Sequence, residues 1–124
     1  MPSATVDYDR LMQANLLKVF GERNEERRRQ AIGELYSEDA VLHEPHASVR
    51  GHVAISDAVG ALLAKLPGDF IFTSEGPAIG HNNMGRLKWR SGPKTGSVAV
   101  TGLDGAQCDG GRIRSLHVFL DPHS

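Results

Sequence analysis

Asp104 is the residue whose surroundings in the sequence most suggest chemistry. Alternate residues of a strand share one face, and in the run 97–108 the face that holds Asp104 is otherwise apolar or small: Val98, Val100, Gly102, Ala106 and Cys108. A charge buried on such a face costs several kcal/mol unless it is paired or neutralised. A functional carboxyl is therefore one hypothesis. The other is that Asp104 lies in a bulge near the flanking glycines and faces water.

The residue opposite Asp104 depends on the glycine-rich hairpin that follows. A two-residue turn at 110–111 would place His117 across from Asp104 as an acid–base pair. A three-residue loop at 109–111 would instead place Leu116 opposite Asp104, with His117 pointing away. Because a slip of one residue turns every side chain to the other face, the residues alone leave both registers open.

The run 81–90 offers a second set of polar candidates. A regular strand there would put His81, Asn83 and Trp89 on one face, together with Gly85 and Leu87. This face would form a ligand-binding wall with two polar groups beside an aromatic ring. The alternative is that His81 and Asn82 belong to a loop that precedes the strand.

Glu44 closes a predicted strand over residues 40–46. In this run Leu42, Glu44 and His46 alternate with Val41 and His43, and Pro45 ends or bends the strand. A carboxylate at the end of a strand is more often exposed than catalytic. The two histidines fall on opposite faces and have no third ligand at a suitable spacing, so neither a metal site nor a cofactor is expected.

The elements that must position these residues follow from periodicity. Helical spacing of apolar residues predicts helices over 7–20, 24–36 (with Asn24 as N-cap and Gly21 as the preceding stop) and 53–66. Strands are expected at 40–46, 69–74, 77–90, 97–108 and 112–120. Helices that precede an antiparallel meander indicate an α+β domain with the helices on one face of the sheet. The 124 residues suffice for a single domain over 1–124, with residues 1–6 as a disordered tail.

Charge and composition exclude several classes of function. Fourteen basic and fifteen acidic residues leave a formal charge of -1, which argues against nucleic-acid binding. The basic run 27–29 is surrounded by glutamates and is predicted to be a solvated helix face. The basic residues of the outer strand face lack the interleaved aromatic residues of a nucleic-acid or adaptor surface: Arg86, Lys88, Arg90, Lys94 and Arg112.

The cellular setting is predicted from what the chain lacks. Cys108 is the single cysteine, which excludes an intramolecular disulfide and fits a reducing compartment. Residues 1–10 lack the basic and apolar blocks of a secretory signal, and no apolar run approaches the roughly 20 residues of a membrane span. We expect a cytoplasmic protein with no membrane partner. A partly apolar outer sheet face suggests a homodimer surface: Ile113, Ser115, His117 and Phe119.

Three stretches resemble the ketosteroid isomerase-like, SnoaL-like branch of the nuclear transport factor 2-like superfamily. They are LYSEDAVLHEP from Leu35, RGHVAISDAV from Arg50, and GLDGAQCDGGRIRSLHVFLD from Gly102. The resemblance implies a cone in which a curved, mostly antiparallel sheet wraps three helices around one pocket, commonly in a dimer. It also favours the three-residue turn.

The resemblance further implies roles for two carboxyls. Glu44, before the strand-ending proline, corresponds to the proton-shuttling base of the isomerases, and Asp104 corresponds to their protonated oxyanion-hole donor. The tyrosine that the isomerases carry on their first helix is missing from ANLLKVFGER, because Tyr8 lies too early and Tyr36 too late. A full steroid-isomerase site is therefore not expected.

Two functions remain open from the sequence. The first is an enzyme that transfers protons on a small apolar carbonyl compound, of isomerase, cyclase or dehydratase type, with Glu44 and Asp104 as catalytic residues. Its substrate-binding residues would be His81, Asn83, Trp89, His46, Leu116 and Val100. The second is a non-catalytic dimeric domain that binds an apolar ligand, for which both carboxyls would have ordinary pKa values.

Overall fold

The computed structural model describes residues 6–122, which form three helices and one seven-stranded sheet. The helices are α1 (Tyr8–Asn15, continued by a π-helical turn, Leu16–Phe20), α2 (Glu25–Leu35) and α3 (His52–Lys65). The strands are β1 (Tyr36–Glu44), β2 (Ala47–Arg50), β3 (Phe70–Ser74), β4 (Ile79–His81), β5 (Met84–Pro93), β6 (Val100–Asp109) and β7 (Arg112–Leu120). The predicted disordered tail lies outside the described residues except for Val6, which packs against the core.

The helices begin and end where the sequence predicts, within a residue or two. The Asn24 side chain accepts a hydrogen bond from the Arg27 backbone N–H at 2.9 Å, which confirms it as the N-cap of α2. The first helix ends in a π-helical turn, in which the Gly21 N–H donates to the Leu16 carbonyl at 2.9 Å. None of the helices within 6–122 has the length and apolar character needed to cross a membrane.

The sheet has the strand order β2-β1-β7-β6-β5-β3, and β4 pairs with β5 off this path. Only β1 and β7 pair in parallel among these strands. The curved sheet packs against the three helices, which confirms the predicted α+β cone. The sequence missed β2, and the predicted strand 77–90 is divided in two because Asn82 and Asn83 form a turn between β4 and β5.

The two-residue turn of the last hairpin is confirmed, and the three-residue loop that the family resemblance favours is wrong; neither alternative predicted the residue opposite Asp104. The turn has two residues, Gly110 and Gly111, with φ of 60° and 80°. A β-bulge follows, because Cys108 pairs with Ile113 while Gln107 pairs with Ser115. The added residue on β7 places Val118 opposite Asp104. Leu116 pairs instead with Ala106, and His117 lies across from Gly105 on the outer face.

The core lies between the inner face of the sheet and the helices. It includes Tyr36, Ile55, Leu87 and Leu116, together with the free thiol of Cys108. Ile113, which the sequence assigned to the outer face, is also in the core because the two-residue turn pairs it with the buried Cys108.

Arg28 corrects the prediction that the basic run 27–29 is a solvated face. Its side chain is only 4% exposed, whereas Arg27 and Arg29 are exposed. The guanidinium donates to the Ser56 hydroxyl at 3.1 Å and to the Glu22 carbonyl at 2.9 Å. Arg28 therefore joins α2 to α3 and to the turn that precedes α2.

Candidate functional site

An apolar pocket opens at one end of the cone and encloses a cavity of about 150 Å³. Its polar side chains, among the residues that line it, are Glu44, Ser91 and Asp104. The π-helical turn, the end of α3 and strands β3, β5, β6 and β7 supply the apolar lining: Leu16, Phe20, Leu62, Leu66, Phe70, Phe72, Trp89, Val100, Val118 and Leu120, with Pro45 at the β1–β2 turn.

Asp104 lies on the inner face of β6 and is 3% exposed. The indole Nε1 of Trp89 donates to its Oδ1 at 2.9 Å. Burial raises the pKa of Asp104 to about 7, although the hydrogen bond from Trp89 opposes the rise because it favours the carboxylate. The indole ring of Trp89 packs directly over Gly102, its register partner on β6. This packing requires a glycine, because a Cβ at position 102 would overlap the ring.

Glu44 is the last residue of β1 and is half-buried. Pro45 follows it in the tight turn to β2, in which Glu44 pairs with Ala47. Desolvation raises the pKa of Glu44, and the positive charges of Lys65 and His46 oppose the rise. The pocket therefore brings together two carboxyls whose surroundings differ, one almost fully enclosed and one near the mouth.

Three of the other predicted site residues lie on the inner side of the sheet. Trp89 and Val100 line the pocket. Leu116 is fully buried, but it lies deeper in the core and is not among the lining residues. The assignment of Leu116 to substrate binding is corrected, because the bulge in β7 moves it away from Asp104.

The predicted histidine and asparagine contacts do not lie in the pocket. His81 and Asn83 are exposed at the β4–β5 turn, where Asn82 and Asn83 have φ of 51° and 66°. The Asn83 backbone N–H donates to the Tyr8 hydroxyl at 2.8 Å. His46 is exposed in the β1–β2 turn, and its charge lowers the pKa of Glu44. These three assignments are corrected.

Ser91 lines the pocket although it lies outside the strand predicted from the sequence. It is 4% exposed on the inner face of β5, and its hydroxyl has no hydrogen-bond partner among residues 6–122. The sequence around it, Ser91-Gly92-Pro93, has the composition of a loop, which concealed that β5 extends to Pro93. The signal that was available is the alternation that continues from Leu87 through Trp89 to Ser91.

Tyr36, which the sequence placed too late to serve as the tyrosine of the isomerases, lies close enough to the site to affect its electrostatics. It begins β1, is fully buried, and donates its hydroxyl proton to Asn15 Oδ1 at 2.5 Å. Burial raises the pKa of Tyr36 well above its ordinary value, and the negative charge of Asp104 adds to the rise. Tyr36 is thus within electrostatic reach of Asp104, although the sequence assigned it to the end of α2.

The site offers no metal-binding cluster. Within residues 6–122, no three histidine, cysteine, aspartate or glutamate side chains are grouped closely enough to hold an ion. His43 and His117 do stack, with ring centroids 4.2 Å apart, but they do so on the outer face of the sheet.

Comparison with solved structures identifies the fold. No family model and no curated protein sequence matches the chain. A candidate isomerase of the SnoaL-like family from Agrobacterium tumefaciens is 28% identical, with 93% of this chain and 97% of that chain covered and a TM-score of 0.85. This similarity extends over almost the full length of both chains.

Two further structures share the fold at lower identity. A candidate ketosteroid isomerase from Kribbella flavida is 13% identical, covers 94% of this chain and 79% of its own, and has a TM-score of 0.71. A candidate polyketide cyclase from Sinorhizobium meliloti is 16% identical, covers 88% of this chain and 93% of its own, and has a TM-score of 0.68. The resemblance to the nuclear transport factor 2-like fold, in its SnoaL-like form, is confirmed.

Proposed function

From a cone fold shared with SnoaL-like candidate isomerases and cyclases, we propose that this protein is an enzyme that transfers protons on a small apolar carbonyl compound. The observation that carries the proposal is that Glu44 and Asp104 line one apolar cavity, in which burial raises the pKa of Asp104 to about 7. Perturbed carboxyls in a cleft are typical of catalytic sites. The reaction is of the isomerase, cyclase or dehydratase type.

Glu44 acts as the base and Asp104 as the hydrogen-bond donor. Glu44 removes a proton from the carbon next to the carbonyl, the C–H electron pair moves into an enolate, and the proton stays on the Glu44 carboxyl. Protonated Asp104 donates a hydrogen bond from Oδ2 to the enolate oxygen. In an isomerisation, Glu44 then returns the proton to a different carbon, and both carboxyls regain their starting states.

The different surroundings of the two carboxyls support these separate roles. Asp104 is almost fully enclosed, so at pH values below about 7 its neutral form predominates and can donate. Glu44 is half-buried near Lys65 and His46, whose charges favour the carboxylate form that a base requires. Ketosteroid isomerase is the established example of carboxyls whose pKa values are separated in this way. A preorganised hydrogen-bond donor of this kind lowers the activation barrier by about 3–4 kcal/mol.

The size of the cavity limits the substrate. At about 150 Å³ it is comparable to an engineered apolar cavity that binds benzene. Typical ligand pockets are larger, at about 300–1,000 Å³. The enclosed part therefore suits a single ring or a branched chain of similar size, and a larger substrate would have to extend out through the mouth of the pocket.

Deuterium exchange tests the proposal without knowledge of the natural substrate. Small cyclic ketones and enones would be incubated with the protein in D₂O, and exchange of their α-protons would be followed by NMR. We expect exchange above the buffer rate that is lost in Glu44→Gln. Ketones that bind to the pocket without any exchange, together with an ordinary pKa for Asp104, would instead identify a binding domain.

The proposal includes a cytoplasmic homodimer. Cys108 is buried and free, as it would remain in a reducing compartment. The outer face of the sheet exposes Phe119 beside the stacked pair His43 and His117, and such a face is suited to a second copy of the chain. Sedimentation velocity of the wild type and of Phe119→Asp tests the dimer, which we expect the variant to weaken.

A further inference from the structure

Ser91 has a buried polar group for which the fold provides no partner. Its side chain is on the inner face of β5 with Trp89, it is 4% exposed, and its Oγ has no hydrogen bond to any of residues 6–122. Leaving a buried hydroxyl unpaired destabilises the folded state. An orphaned group of this kind in a pocket wall requires a functional explanation.

The surroundings of Ser91 leave the cavity as the source of a partner. Its neighbours across the sheet are Phe72 on β3 and Val100 on β6, whose side chains cannot accept or donate a hydrogen bond. The Ser91 carbonyl accepts from the Ala99 N–H at 2.9 Å, so the main chain is already paired there. Ser91 is itself a lining residue of the pocket.

Ser91 and Asp104 line the same pocket from different positions along the sheet. Ser91 pairs with Val100, and Asp104 is four residues further along β6. At about 3.4 Å per residue, the two backbone positions are about 14 Å apart along the strand, and both side chains line the pocket between them. Trp89 lies between them and is hydrogen-bonded to Asp104.

We propose that Ser91 is a substrate-binding residue, and that the substrate carries a second polar group at the end remote from its carbonyl. The matching chemistry is a hydroxyl, carbonyl or amine on a compact apolar frame, because a serine hydroxyl can both donate and accept. Ser91 thereby selects the orientation in which the carbonyl reaches Asp104. Only the placement of the carbonyl against Asp104 rests on the proposed function. The binding of the second polar group by Ser91 does not depend on it.

Two isosteric ketones test the inference by binding. 4-Hydroxyacetophenone and 4-methylacetophenone differ only in the group remote from the carbonyl, and their dissociation constants can be measured by NMR titration. We expect the preference for the hydroxyl compound over the methyl compound to fall about fivefold in Ser91→Ala, the value of one neutral hydrogen bond. An unchanged preference, or failure of both ketones to bind the wild type at millimolar concentration, would overturn the inference.

Ser56 provides a matched control. It is also fully buried, but its hydroxyl is bonded to Arg28 and lies outside the pocket. Ser56→Ala should leave the ligand preference unchanged and unfold at lower denaturant concentration, whereas Ser91→Ala should unfold at the same or higher concentration than the wild type. Equal destabilisation by the two substitutions would mean that Ser91 has a structural partner, and would contradict the inference.

The two proposals can fail separately. If Asp104 titrates as an ordinary aspartate while Ser91→Ala still removes the preference for the hydroxyl compound, Ser91 binds ligand in a protein that does not transfer protons as proposed. If deuterium exchange depends on Asp104 while the preference is unchanged in Ser91→Ala, the catalytic proposal stands and the role of Ser91 is wrong.

Discussion

The indole Nε1 of Trp89 donates a 2.9 Å hydrogen bond to Oδ1 of Asp104, inside a pocket that offers this carboxyl little else. The bond favours the carboxylate, and burial favours the neutral acid. Burial has the larger effect, because the pKa of Asp104 rises to about 7. Trp89 thus occupies one oxygen, and the other remains able to carry a proton toward a substrate.

Replacing Trp89 should raise the pKa of Asp104 further. Trp89→Phe keeps an aromatic ring in the pocket wall but removes the N–H that stabilises the carboxylate, so only the effect of burial remains. NMR titration of the Asp104 carboxyl carbon measures this pKa. Phe72→Leu is the control, because it removes the ring that contacts the edge of Trp89 and keeps the indole N–H. A lower pKa in Trp89→Phe would contradict the assigned role of the bond.

Asp104→Asn and Asp104→Ala should differ in activity. Asparagine keeps a hydrogen-bond donor at the position of the enolate oxygen, whereas alanine has none, and removal of one such donor typically costs about 10²–10³ in rate. We expect measurable deuterium exchange in the asparagine variant and a loss of that order in the alanine variant. Asp109→Asn, at an exposed position of the same strand, should exchange like the wild type. Equal rates in the two Asp104 variants would exclude the donor role.

Asp104 should make the folded state less stable as the pH rises. Because its folded pKa is raised from 3.8 to about 7, the folded protein binds a proton that the unfolded chain releases between these values. The stabilisation is fully present below about pH 4 and is lost as the pH approaches and passes 7.

Urea denaturation at several pH values measures this effect. At about 1.4 kcal/mol for each pKa unit, the free energy of unfolding of Asp104→Asn relative to the wild type should rise by about 4 kcal/mol between pH 4 and pH 8. A difference that stays constant with pH would mean that Asp104 is ionised in both states.

Arg28 should contribute more to stability than its neighbour in the sequence. Arg28→Ala leaves the buried Ser56 hydroxyl and the Glu22 carbonyl without their donor, at a cost of about 2–3 kcal/mol in the free energy of unfolding. Arg27→Ala removes only an exposed ion pair with Glu22 and should cost less than about 1 kcal/mol. Urea denaturation of the two variants measures both losses. Equal losses in the free energy of unfolding would contradict the role of the buried Arg28 network.

The sequence predicted the elements whose signal is local. Helix periodicity, the Asn24 cap and the stop at Gly21 agree with the structure, since each depends on a few neighbouring residues. The inner face of β6 was also predicted correctly from Val100 to Cys108, because alternation along one strand needs no knowledge of its partner. Val98, outside the strand, is exposed.

The features that the sequence missed depend on pairing between strands. The bulge between Gln107 and Cys108 is invisible to alternation within one strand, and it decides that Val118 rather than Leu116 or His117 lies opposite Asp104. In the turn between β4 and β5, Asn82 and Asn83 adopt the left-handed backbone conformation. Such turns usually contain a glycine, and this one has none at these two positions. The hydroxyl of Ser91 acquires significance only once the pocket encloses it.

The most direct measurement is the titration of Asp104 itself. The carboxyl carbon of each aspartate, labelled with ¹³C, can be followed by NMR from pH 3 to pH 9, and the Asp104 resonance assigned by its absence in Asp104→Asn. A midpoint near 7 would establish that about half of the Asp104 carboxyls carry a proton at pH 7, and these molecules have the hydrogen-bond donor that proton transfer with Glu44 requires. A midpoint near 4 would leave Asp104 ionised at neutral pH and unable to donate, and the catalytic account would be wrong.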